Sequence, residues 1–149
     1  MGPTGEAHPP TNNRAALRAV IGGLQFRNWN EEAWKKVVIA TSSDYVVDGA
    51  TEWVKKWETN GWVTGKKKAV SNRDLWELLM KEVRKYKRKG LEVVFWRIER
   101  DQNREANAAA HEALGCHDVE RFERHGAHML NAREMVYYRF LGSDIPGEM

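Results

Sequence analysis

Cysteine is nearly missing from this chain: Cys116 stands alone among 149 residues. A lone thiol excludes an intrachain disulfide and fits a reducing, intracellular setting, nuclear or cytoplasmic. Proline is scarce as well, and three of the four fall in residues 1–11 together with two glycines. That stretch reads as an extended, mobile lead-in. No apolar run approaches the roughly 18 residues of a membrane helix. No charged segment followed by an apolar stretch opens the chain, so no secretory signal is expected. Repeats and low-complexity tracts are absent too. What is present is 42% hydrophobic and 30% charged residues, enough for one folded domain. The net charge of +3 permits a polyanionic partner without requiring one.

The organising stretch is Lys36-Val37-Val38-Ile39-Ala40-Thr41-Ser42-Ser43-Asp44. Its β-branched run predicts a buried strand over Val37 to Thr41, followed by a polar turn whose oxygens cap the next helix. Before it, Thr11-Asn12-Asn13 offers caps for a helix from about Arg14 to Phe26, with Leu17, Val20, Ile21 and Leu24 as its apolar face. Gly22-Gly23 within that pattern reads as close packing against a neighbour. Arg27 to Lys35 reads as a loop. After Ser42, Tyr45, Val46, Ala50, Trp53, Val54 and Trp57 have helical spacing, with a break between two short helices at Gly49. Asn60-Gly61 is a stop signal, and Lys66-Lys67-Lys68 lies in a glycine-containing basic loop. Ser71-Asn72-Arg73-Asp74 opens another helix, closed by Lys85, Lys87, Arg88 and Lys89 and ended by Gly90. Leu91 to Ile98 reads as a second strand, Arg104 to Leu114 as a last helix, and Met135 to Leu141 as an extra strand. Strands alternating with helices imply α/β architecture with parallel pairing.

This order of parts resembles a type 1 ribonuclease H domain. The resemblance rests on Thr11-Asn12-Asn13-Arg14 before a helix, Thr41-x-Ser43 after a strand, and Gly49-x-Thr51-x-Trp53 with Trp57. It continues through Asn60-Gly61-Trp62, the lysines, Asn72-x-Asp74-Leu75-Trp76 and Asn103-x-Glu105-Ala106-Asn107. It covers about residues 9–115, leaving 116–149 as a C-terminal extension. The short segment before Asn103 looks most like fungal members. The resemblance implies a mixed sheet flanked by helices. It also implies cleavage of the RNA strand of RNA–DNA hybrids by two Mg²⁺ ions on four carboxylates, because hard dications need acidic oxygens.

Carried over position by position, those acids are missing. The family's helix glutamate falls on Ala16, its post-strand aspartate on Ser42 and its late aspartate on Asn107; the first acid belongs to an opening strand without a counterpart here. Neutral side chains cannot balance two close dications. Nearby Asp44 reads as a cap and Asp48 as a surface charge. The resemblance therefore implies an impaired or inactive domain, with no cofactor expected and Mg²⁺ only if displaced acids restore an active hybrid ribonuclease. A natural pseudoenzyme and a deliberately inactivated form fit equally. Binding positions are better kept: Thr11 and Asn72 match a grip on a DNA phosphate, and Asn12 and Asn13 match contacts to the RNA backbone. Helix capping is the rival role at Asn12. Trp57, Trp62 and Lys66, Lys67 and Lys68 (with Lys55 and Lys56) match the family's aromatic ridge and basic protrusion. Trp53 is expected in the core, and Trp57 or Trp62 partly exposed. The expected partner is RNA–DNA hybrid or double-stranded RNA.

Trp29, Trp34 and Trp96 read as packing residues, and His8, His111, His117, His125 and His128 show no metal-ligand spacing. In the family, the strand corresponding to Val37–Thr41 has a neighbour on each side. Here one edge would be left open, which invites pairing. Three outcomes follow: a fragment of a longer protein, which is favoured, a partner chain at that edge making an interaction module, or fold-back of Met135 to Leu141.

Overall fold

The computed structural model describes residues 2–113; the expected strand at 135–141 lies outside them. Helix α1 (Asn12–Gln25) leads through a single 3₁₀ turn, Trp29–Glu31, to strand β1 (Lys36–Thr41). Helices α2 (Asp44–Asp48) and α3 (Val54–Thr59) follow, then α4 (Arg73–Arg88), strand β2 (Glu92–Arg97) and α5 (Arg104–Ala113). The architecture is α/β, as an incomplete ribonuclease H-like fold would be, with β1 and β2 paired in parallel. Register runs from Lys36 opposite Glu92 to Thr41 opposite Arg97.

The core lies between α1, α4 and one face of this ribbon. Leu17, Ile21 and Leu24 from α1 meet Leu75, Trp76, Leu79 and Tyr86 from α4, all essentially sealed from solvent. Each such side chain contributes about 1.5–3 kcal/mol on burial. Polar groups inside are paired. The Tyr86 hydroxyl lies 2.7 Å from the Leu24 carbonyl and 2.8 Å from that of Arg27, and Gln25 donates to Glu82 at 2.9 Å. The Tyr86 hydroxyl proton, shared between the two carbonyls, serves the end of α1 where no helical partner remains.

Several expectations change. The strand at Val37 to Thr41 is buried on one face only. Val37 and Ile39 pack against the core with Val93 and Phe95, while Val38 is 44% exposed and Trp96 62% exposed on the other side. Period-2 geometry turns successive residues to opposite faces, so an apolar run does not by itself seal both. Trp34 and Trp96 are therefore not packing residues, whereas Trp29 is packed against the core. No break occurs at Gly49: a five-residue π turn, Gly49–Trp53, joins α2 to α3 without interruption. Close packing does not explain Gly23, around which space is open; its carbonyl accepts the Trp29 indole N–H at 2.9 Å. Nor does the lead-in project freely. The Gly2 amide donates to the Glu6 carbonyl at 2.7 Å, and Gly2 sits against His8, Arg14 and Asp74.

Candidate nucleic-acid interface

The N-terminus of α1 and that of α4 lie side by side, held by one buried ion pair. The Arg14 guanidinium donates to Asp74 twice, at 3.0 and 2.7 Å, and to the Asn72 side-chain oxygen at 3.2 Å. Burial pushes the Asp74 carboxyl up, but the hydrogen bonds and charge of Arg14 outweigh it and leave the carboxyl below its ordinary value. Asn72 adopts a left-handed backbone, φ +60°, which asparagine tolerates better than most residues. Its amide nitrogen donates to the Tyr45 hydroxyl at 3.2 Å, which also accepts the Trp76 indole N–H at 3.0 Å. Asn72 thus keeps one amide proton for a ligand.

Thr11 caps α1, its hydroxyl oxygen accepting the Arg14 amide at 3.2 Å. The hydroxyl proton stays available. The capping role weighed for Asn12 belongs to Thr11, and Asn12 and Asn13 are exposed beside it. Together with Thr4, His8 and Glu77, the side chains of Thr11, Asn13 and Asn72 line a groove of about 760 Å³. Charged groups line it too, and there Arg14 pairs with Asp74 and Arg73 with Glu77. The neutral hydroxyl and amide donors among them suit a phosphate, which accepts hydrogen bonds from such groups as well as from cations.

Beside this groove runs an aromatic row. Trp53, Trp57 and Trp62 follow one another with ring centroids 5.8 and 6.2 Å apart. Two placements differ from expectation. Trp53, the last residue of the π turn, is half-buried instead of sealed in the core. Trp62 is buried at 8% exposure, under the Arg73 guanidinium 5.2 Å from its ring. Its indole is thus covered, leaving Trp53 and Trp57, both half-buried, as the accessible members. Lys66, Lys67 and Lys68 are exposed on a tight turn closed by the Thr64 amide on the Lys68 carbonyl at 2.8 Å. None of the three lysines has an ion pair among the described residues.

At the other end of β1, the positions matched to the family's metal ligands hold no charge. Ala16 is half-buried on α1, Ser42 accepts from the Asn103 amide at 3.3 Å, and Asn107 donates to the Arg100 carbonyl at 3.5 Å. Two acids that follow Ser42 are taken: Arg97, at the end of β2, pairs with Asp44 at 3.0 Å and with Asp48. Ser43, not Asp44, caps α2 through the Val46 amide. Among the described residues, no three His, Cys, Asp or Glu side chains are grouped to hold a metal ion. At the three matched positions, Ala16, Ser42 and Asn107, the side chains are a methyl, a hydroxyl and an amide, none with the charge that a hard dication favours. Sequence reading missed the Arg14–Asp74 pair and the Arg97 clasp; the one signal for Arg14 was its place in line with Leu17, Ile21 and Leu24 on the apolar face of α1.

The sequence matches the family described as RNase H over residues 4–114. It is 47% identical over 76 residues to the ribonuclease H of Treponema pallidum, covering 51% of this chain and 44% of that protein. To that of Zymomonas mobilis it is 41% identical over 86 residues, 56% of this chain and 51% of the relative. To that of Rhodospirillum rubrum it is 49% identical over 74 residues, 48% and 40% respectively. The chain spans about half the length of the curated relatives it matches.

Proposed function

Starting from a chain that belongs to the ribonuclease H family, we propose that it binds RNA–DNA hybrid and does not cut it. Thr11, Asn12, Asn13 and Asn72 hold the two backbones, Trp57 lies against the DNA sugar edge, and Lys66 to Lys68 attract phosphates from the flank. Double-stranded RNA would meet the same contacts more weakly wherever the DNA strand's geometry matters.

The observation that carries this reading is electrostatic. Ala16, Ser42 and Asn107 are neutral, and Arg97 occupies Asp44 and Asp48. A site meant to bring two dications within about 4 Å needs several negative charges to offset their repulsion. Without them, the scissile phosphate also meets no repelling carboxylates, so binding needs no metal. The names of the relatives favour a second reading, an Mg²⁺-dependent hybrid ribonuclease. A labelled 18-base-pair hybrid (roughly the span a single domain covers with room to spare) separates the two. The expected result is a salt-sensitive complex in EDTA and intact RNA after incubation with Mg²⁺ or Mn²⁺. RNA-strand cutting abolished by Ser42→Ala would establish the enzyme instead.

A further inference from the structure

The loop between α1 and β1 carries a feature that hybrid binding at the Thr11 end does not use. Trp34 is 54% exposed, a large apolar ring left in water immediately before a strand. It follows Ala33, whose φ of +60° lies in the left-handed region that alanine rarely adopts. The surrounding charge is lopsided once local pairs are removed. Glu32 pairs with Arg27 and Glu92 pairs with Lys36, so among the carboxylates of this end only Glu31, which accepts from the neutral Asn28 amide, keeps an unbalanced charge against the cations that follow. Lys35 has no side-chain partner among the described residues. The basic end of α4 is held against the loop by Lys89, which donates to Asn30 at 3.3 Å. There Lys87 and Arg88 are exposed and likewise without a partner among the described residues.

We propose that this loop is a second nucleic-acid site, a platform for unpaired nucleotides flanking the hybrid. Trp34 stacks on a base while Lys35, Lys87 and Arg88 neutralise phosphates. An isolated exposed indole selects unpaired nucleotides, because in a duplex each base face is covered by its neighbours. Free lysines beside an aromatic ring are the combination that tracks a single strand without reading its sequence. The loop lies at the far end of α1 from Thr11, about 21 Å for a 14-residue helix. That distance corresponds to about six stacked nucleotides at roughly 3.4 Å each.

The site rests on the hybrid-binding reading, and fluorescence anisotropy with labelled oligonucleotides and the full chain separates the two. A hybrid carrying a single-stranded extension of about eight nucleotides binds wild type roughly 5-fold or more tighter than a blunt hybrid. Trp34→Ala abolishes that gain and leaves the blunt affinity unchanged, while Trp34→Phe keeps most of it. Equal affinity for both hybrids overturns the inference and leaves the hybrid-binding reading standing. If neither hybrid binds, that reading fails, and free oligothymidylate decides the inference: binding lost in Trp34→Ala sustains it, and no binding ends it. Trp34-dependent capture of polyglutamate without capture of oligothymidylate also overturns it, in favour of an acidic peptide.

Discussion

Arg14 and Asp74 meet in a two-pronged ion pair, 3.0 and 2.7 Å, with both side chains less than a tenth exposed. The pair ties the first turn of α1 to the first turn of α4 and so fixes the distance between Thr11 and Asn72. Removing one partner strands a buried charge, so Asp74→Ala should cost on the order of 3 kcal/mol, read from urea midpoints. The apolar double variant Arg14→Met/Asp74→Leu should recover most of that, since a well-packed apolar pair is often no less stable. Its hybrid affinity should nevertheless fall, because Asn72 loses the guanidinium that orients its amide.

The same pair gives acid stability a direction. The folded Asp74 carboxyl sits below its ordinary value, so the folded state binds a proton less readily than the unfolded chain. Its contribution is fully present above the unfolded carboxyl's value, about 3.9, and is lost as pH falls through the lower folded one. The stability gap between wild type and Asp74→Asn, measured by urea unfolding, should be flat from neutral pH to about pH 5 and narrow below pH 4. A gap that widened on acidification would contradict the pair's charge state.

Gly49 and Trp76 give a packing test. A Cβ on Gly49 would run into the Trp76 ring, whose indole N–H is fixed on Tyr45 and whose helix is anchored in the core. Gly49→Ala should destabilise by about 1–3 kcal/mol, as overpacking in a tight core does. Combining it with Trp76→Phe, which removes the obstructing ring, should cost less than the sum of the two single changes. Thermal melts of the four proteins check this.

Much of this fold was legible because its signals are local. Helical spacing at Leu17, Val20, Ile21 and Leu24 marked the buried face of α1, and each of these is sealed or nearly so. The apolar run at Leu91 to Ile98 marked β2. What was not legible depends on residues distant in sequence. Gly49 read as a break because glycine weakens helices, yet the contact that demands it comes from Trp76. Trp34 and Trp96 read as packing residues because aromatics usually are; only the third dimension shows that no described element covers them. At the candidate interface, the residue types could be read in order, but not that Arg73 lies over Trp62 or that Arg97 clasps Asp44 and Asp48.

That clasp is itself testable. Arg97 is about half exposed, so Arg97→Gln should change stability by less than about 1 kcal/mol. It releases Asp44 and Asp48, the acids nearest Ser42 in sequence. Both lie on one helix face, and a two-ion site needs ligands converging from several elements. Arg97→Gln should therefore show no heat of Mg²⁺ binding by titration calorimetry and no RNA cleavage. Measurable cutting by this variant would mean that Arg97 holds an otherwise workable site shut.

The lysine turn sets how strongly salt weakens the complex. Each phosphate neutralised releases condensed counterions, so log affinity falls with log salt by about 0.9 per contact on a duplex. Lys66, Lys67 and Lys68 are exposed and make no ion pair among the described residues, so replacing all three with alanine leaves the core untouched. Stability should stay within about 0.5 kcal/mol of wild type, which separates a binding effect from unfolding. The slope of log affinity against log salt should become shallower by about 1–3, depending on how many of the three reach a phosphate at once. Asn72→Ala should do the opposite: it should weaken binding at every salt concentration while the slope stays as it was, because a neutral amide displaces no counterion. If the triple-alanine slope matches wild type, the lysine turn is only a solvated face and the hybrid lies elsewhere on the protein.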